Sequence, residues 1–111
     1  MKIVAMYNLK ESVKIEEFKK WSKEVDQKTV LKQPGFRRFD VFNAIAVLKG
    51  AKPPYKATES NVPFDIIEFT EVESQEALEK SQTSSVMSSV MKKWLEFVDE
   101  PSVTIMRVDQ I

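Results

Sequence analysis

The stretch Lys2-Ile3-Val4-Ala5-Met6-Tyr7-Asn8-Leu9 decides the architecture. It is short and rich in β-formers, and it is apolar on both alternating sets: Ile3, Ala5, Tyr7 and Leu9 on one, Val4 and Met6 on the other. A strand with one wet face alternates apolar with polar residues, so a strand apolar on both sets belongs at the centre of a sheet covered on two sides.

Outward from that strand, Ile15, Phe18, Trp21, Ser22, Val25 and Thr29 recur at spacings of three and four with Lys and Glu between them, which predicts an amphipathic helix. Ser12 is its expected N-cap, without a capping box because Ile15 stands where a Glu would be needed. Pro34-Gly35 ends the helix. Phe36 to Val47 reads mostly as a second strand. Lys49 to Pro63, with Gly50, Pro53, Pro54, Pro63 and the aromatic Tyr55, reads as a long irregular loop of the kind used as a lid or a contact surface. Phe64 to Val72 is a third strand, and Ser74 caps a short helix through Ala77, Leu78 and Lys80. Val86, Met87, Val90, Met91, Trp94, Leu95 and Val98 form the clearest helical stripe, which Asp99-Glu100-Pro101 ends. Val103 to Val108 supplies the fourth strand.

The order strand, helix, strand, strand, helix pair, strand is the βαββαβ pattern of an α+β, ferredoxin-like domain, expected over residues 1–111 as one unit with sheet order 4-1-3-2 and both helices on one face. The strands carry more apolar positions than one covered face requires. A homodimer would bury the surplus by closing two sheets into a dimeric α/β barrel, and a cavity between the sheets would hold a small hydrophobic or aromatic ligand.

Composition narrows the chemistry. Among 111 residues, 17 Lys plus Arg balance 17 Asp plus Glu, so the basic excess that nucleic acid binding draws on is missing. No apolar run is long enough for a membrane span, and the N-terminus lacks the regions of a signal peptide, so a cytoplasmic protein is expected. The chain contains neither Cys nor His, which removes disulfides, thiolate nucleophiles, zinc fingers and every Ser-His or Cys-His arrangement. Neither a cofactor nor a metal site is expected; Asp26 and Asp99 are too isolated for one and are read as helix-end or turn residues.

What remains is carboxylate, phenol and guanidinium chemistry. Glu68 and Arg107 interrupt β-rich strands near the middle of the sheet, as a structural ion pair, as solvent-facing residues or as groups that assist proton transfer, and Tyr7 sits near the end of the first strand with a phenol able to relay a proton. Tyr7, Glu68 and Arg107 are therefore the catalytic candidates, with Ile66 and Tyr55 as ligand contacts. Trp21, Trp94, Met87 and Met91 lie in helical stripes and read as core.

Segments along the whole chain carry a resemblance: Lys2-Ile3-Val4-Ala5, Glu17-Phe18-Lys19-Lys20-Trp21, Val25-Asp26-Gln27-Lys28-Thr29, Pro34-Gly35-Phe36, Pro63-Phe64-Asp65 and Phe97-Val98-Asp99-Glu100. Together they resemble the REDY-like (HapK) family. That resemblance implies a dimeric α+β barrel and a part in making or tailoring pyrrole- or indole-derived secondary metabolites of the prodigiosin type. It brings no catalytic set. Two functions stay open: a cofactor-independent enzyme acting on an aromatic intermediate, or a carrier that shelters one. A cofactor-independent monooxygenase is a third activity seen on this fold.

Overall fold

The computed structural model describes residues 1–58 and 62–111. Four antiparallel strands form the main sheet: β1 (Lys2–Leu9), β2 (Phe36–Asn43), β5 (Ile66–Val72) and β6 (Val98–Val108), ordered β2-β5-β1-β6. Counted along these four, that is the expected 4-1-3-2, with β1 in the interior. A separate hairpin pairs β3 (Val47–Lys49) with β4 (Lys56–Thr58). The stretch expected to be an irregular loop is therefore partly ordered, because pairing Lys49 with Lys56 gives their backbone groups partners that a bare loop would lack. Its residues 59–61 lie outside the described residues.

The first helical segment runs through α1 (Ile15–Trp21), a π-helical turn (Ser22–Asp26) and α2 (Gln27–Leu31). Ser12 is not its cap. The N-cap is Lys14, which makes no side-chain cap bond, and Glu16 and Glu17 in the first turn face the positive end of the helix dipole instead. In the π-turn the Gln27 amide bonds back to the Ser22 carbonyl, five residues earlier, so one extra residue is inserted and the buried face is rephased. Phe18, Ser22, Asp26 and Val30 are all buried in consequence, whereas Val25 is exposed.

Helices α3 (Gln75–Gln82) and α4 (Ser85–Phe97) are each capped by a serine: the Ser74 hydroxyl accepts from the Ala77 amide and the Ser84 hydroxyl from the Met87 amide. The chain then passes from α4 into β6 without a loop. Val98, expected to be the end of the helical stripe, pairs as a strand residue with Leu9, and Asp99 pairs with Asn8. A register shift between Met6 and Asn8 follows, and the segment that carries Pro101 is the part of β6 left out of the pairing, where a missing amide donor costs least. The Asn8 amide donates to the Ser102 hydroxyl across the bulge.

Directly paired residues share a face. The pairs Ile3↔Thr70, Ala5↔Glu68 and Tyr7↔Ile66 thus place these residues together, with Phe39 opposite Thr70 and Ile105 opposite Ala5. All the helices cover this face. The core beneath them is an aromatic cluster in which Tyr7, Phe18, Trp21, Trp94 and Phe97 meet at ring-centroid distances from 5.1 to 6.2 Å, mostly edge to face. The opposite face carries Val4, Met6, Ile67, Phe69, Phe42 and Met106, and among the described residues no helix lies over it. Among the described residues, no helix is long and apolar enough to cross a membrane.

Candidate functional site

A cavity of about 370 Å³ lies between the helices and the sheet. Its floor is sheet: Ile3 and Ala5 of β1, Phe36 and Phe39 of β2, Glu68 and Thr70 of β5, Val103 and Ile105 of β6. Its roof is helical, with Asp26 and Val30 from the first helical segment, Leu78, Ser81 and Gln82 from α3, and Met87, Val90, Met91 and Trp94 from α4. Ile105 and Met91 are exposed, so the cavity opens toward solvent between the edge strand β6 and α4. Glu68, expected to face a cavity between two sheets, instead lines one on the other face, inside a single chain. The register explains this: Glu68 shares a face with Ala5, and Ala5 points under the helices.

The strand periodicity that puts Ala5 under the helices does the same for Tyr7, which is fully buried with its ring edge-on to Trp94 at 5.1 Å between centroids. Its hydroxyl donates to Glu68 Oε2. Burial and the neighbouring carboxylate raise the Tyr7 pKa far above its ordinary value, so the phenol stays protonated and acts as a fixed donor. Burial likewise pushes the Glu68 carboxyl up to about 7; the Tyr7 hydrogen bond opposes the shift and Asp26 adds to it. A carboxyl poised there is present in both protonation states at neutral pH.

Asp26 is the residue whose role sequence reasoning missed. It does stand at a helix junction, where the π-turn meets α2, but its side chain makes no cap bond. It is 4% exposed, it lines the cavity, and its Oδ2 has no hydrogen-bond partner among the described residues. Burial pushes its carboxyl up to about 7, and the Ser22 hydroxyl opposes that shift. The signal was present as a carboxylate at four-residue spacing within Phe18, Ser22 and Val30, but regular α-helical phasing favours Val25 as the buried residue, and only the π-turn reverses the two.

The other candidates are scattered. Arg107 lies opposite Ile3 on the edge strand, exposed and outside the cavity lining, so no guanidinium faces Glu68. Tyr55 is exposed between β3 and β4. Ile66 is buried in the aromatic core rather than in the cavity wall. Trp94, Met87 and Met91, read as core, do line the cavity, while Trp21 packs against Phe18 and Phe97 as expected. A second hollow of about 460 Å³, beside Gly35, is lined by Gln33, Glu73, Glu76 and Lys80 and holds no buried titratable side chain. No group of three or more potential ligands that could hold a metal ion occurs among the described residues.

The family profile described as "REDY-like protein HapK" matches residues 1–109. A search of curated protein sequences finds no significant match. Among solved structures, HapK from Hahella chejuensis is 17% identical with a TM-score of 0.70, covering 100% of this chain and 95% of that one. A dimeric protein of unknown function and ferredoxin-like fold from Bacteroides fragilis is 15% identical with a TM-score of 0.60, over 98% and 94% of the two chains. An antibiotic biosynthesis monooxygenase is 13% identical with a TM-score of 0.67, over 99% and 97%. At these identities the structural likeness establishes the ferredoxin-like fold, and it agrees with the βαββαβ order read from the sequence.

Proposed function

Given that this chain belongs to the REDY-like HapK family, we propose that it acts on an aromatic, pyrrole- or indole-derived intermediate of secondary metabolism, held in the cavity between helices and sheet. The observation that carries the reading is the Tyr7–Glu68 pair: a carboxyl titrating near neutral pH, fixed by a permanently protonated phenol, in a cavity otherwise walled mainly by apolar side chains. Glu68 is the proton donor and acceptor, and Tyr7 positions it. Protonated Glu68 gives its proton to an electron-rich ring carbon, and the carboxylate so formed takes a proton back from that carbon, leaving enzyme and ring unchanged unless the ring is set to cyclise or couple. The apolar walls keep bulk water from competing for the proton. No further group is required for this step.

The reading includes a second copy of the chain on the open sheet face; the Bacteroides fragilis neighbour is described as dimeric. It places the prodigiosin-type pathway suggested by the family among the candidate settings, and a cytoplasmic location fits such a role.

Indole and pyrrole probes in D2O test the chemistry. Wild-type protein should speed hydrogen–deuterium exchange at the nucleophilic ring carbon by about 10²-fold or more, the scale of general acid–base catalysis. Glu68→Gln keeps the shape, so it should abolish the acceleration while binding changes only a few-fold. Binding without accelerated exchange in the wild type would make the protein a carrier, and absence of binding would remove the cavity reading altogether.

A further inference from the structure

The cavity holds a second acid that the proton-transfer scheme leaves unused. Asp26 reaches it from the helical roof and Glu68 from the floor of the sheet. Asp26 is almost wholly buried, and its Oδ2 lacks a partner among the described residues. A buried acceptor without a donor is destabilising by itself, and in native structures such an atom commonly awaits a ligand, an ion or a water. The walls around it offer no substitute, since neither Lys nor Arg lines the cavity and the chain has no His. Hydrophobic side chains such as Val30, Phe39, Met87 and Val90 make up most of the remainder.

We infer that Asp26 is the second anchor of the ligand, and that the cavity selects aromatic ligands carrying a protonated amine or iminium nitrogen while rejecting those that carry a carboxylate. The inference rests on the reading of the cavity as the ligand site and adds to it the charge class of the ligand. An anionic group would enter a space with two acids and no compensating cation, which costs both desolvation and repulsion. A cationic nitrogen would supply the hydrogen bond that Asp26 Oδ2 lacks and leave the aromatic ring against Trp94, Met87 and Phe39. Selection therefore comes from a repulsive element as well as an attractive one.

The titratable groups facing Asp26 are Glu68 and Tyr7 from the sheet; α3 and α4 contribute only uncharged side chains to the cavity, among them Ser81, Gln82, Val90 and Trp94. Ionisation of the acids as pH rises from 6 to 8 should thus tighten binding of a primary alkylammonium, which stays protonated across that range.

Three probes of one ring system but different charge make the test: tryptamine, indole and indole-3-acetate, titrated calorimetrically into the full chain at pH 6 and pH 8. The expected order at pH 8 is tryptamine, then indole, then indole-3-acetate, with at least tenfold between the ends and a several-fold gain for tryptamine between the two pH values. Asp26→Asn should weaken tryptamine at least fivefold and leave indole within twofold. Equal affinities, or a preference for indole-3-acetate, would overturn the inference while leaving the cavity as a ligand site. An unchanged tryptamine affinity in a folded Asp26→Asn protein would overturn it as well. Failure of all three probes to bind at millimolar concentration would instead overturn the cavity reading and this inference with it. Should Asp26→Asn not fold, the wild-type charge series and its pH dependence decide the matter.

Discussion

Asp26 and Glu68 hold protons in the folded chain that they release when it unfolds, since their carboxyls sit at about 7 rather than at 3.8 and 4.5. The sign of the pH effect follows. A folded-state pKa above the unfolded value makes the folded state the better proton binder, so its contribution is fully present below the unfolded values and is lost as pH rises through about 7. Between those limits each group should change stability by on the order of 1 kcal/mol per pH unit. Thermal unfolding from pH 5 to pH 8 should accordingly show a falling midpoint in the wild type and a shallower fall in Asp26→Asn, the comparison cancelling all other groups. Parallel curves for the two proteins would mean that Asp26 is solvated. Tyr7 enters at the same scale. Its hydroxyl holds the Glu68 pKa down, so Tyr7→Phe should push Glu68 further up, and the loss of a buried hydrogen bond should cost about 1–3 kcal/mol. Carboxyl carbon shifts and urea denaturation read the two effects separately.

Two elements of the helix layer depend on single small residues. Ser74 accepts from the Ala77 amide at 3.1 Å, so Ser74→Ala should destabilise the protein by about 1 kcal/mol. Gly35 has φ +83° and a Cβ built there would stand 2.8 Å from Ala77 Cβ, so Gly35→Ala combines a strained backbone with a close contact and should cost more, about 1–3 kcal/mol by urea denaturation. Equal stability of either variant and the wild type would contradict the geometry. Ser74 and the Pro34-Gly35 stop were legible in the sequence because capping and turn chemistry are local, as was the interior place of β1, whose two apolar faces admit no edge position. The features that escaped are tertiary in origin. Val98 to Ser102 resemble a helix end and a turn, yet they join β6 because β1 offers Asn8 and Leu9 as pairing partners. The hairpin of Val47–Lys49 with Lys56–Thr58 lies in a stretch whose Pro and Gly content reads as loop. The site was half legible: an ionisable residue in a β-rich strand marked Glu68, whereas Asp26 depends on one inserted helical residue and Arg107 falls outside because β6 is an edge.

The whole molecule presents two apolar regions on opposite sides of one sheet, and they answer different needs. The helix side encloses the cavity within one chain. The other side leaves Met6 and Ile67 near the sheet centre, flanked by Phe42 and Met106, which are 54% and 42% exposed, while Arg38 lies over the Phe69 ring. A continuous apolar face of this kind is costly to leave in water, and with equal numbers of acidic and basic residues no net charge keeps two copies apart. Sedimentation equilibrium at micromolar concentration should therefore give about twice 12.8 kDa, and the thermal midpoint should rise with protein concentration, as it does when folding and association are linked. Met6→Lys places a charge at the centre of that face and should shift the protein to monomer at the same concentration. The cavity is on the far side of the sheet, so the Met6→Lys monomer, where folded, should still bind an indole probe within a few-fold of the wild type. A wild-type protein that sediments as a folded monomer would contradict the dimer, and a Met6→Lys monomer that folds but has lost the probe would show that the cavity is completed only by the partner subunit.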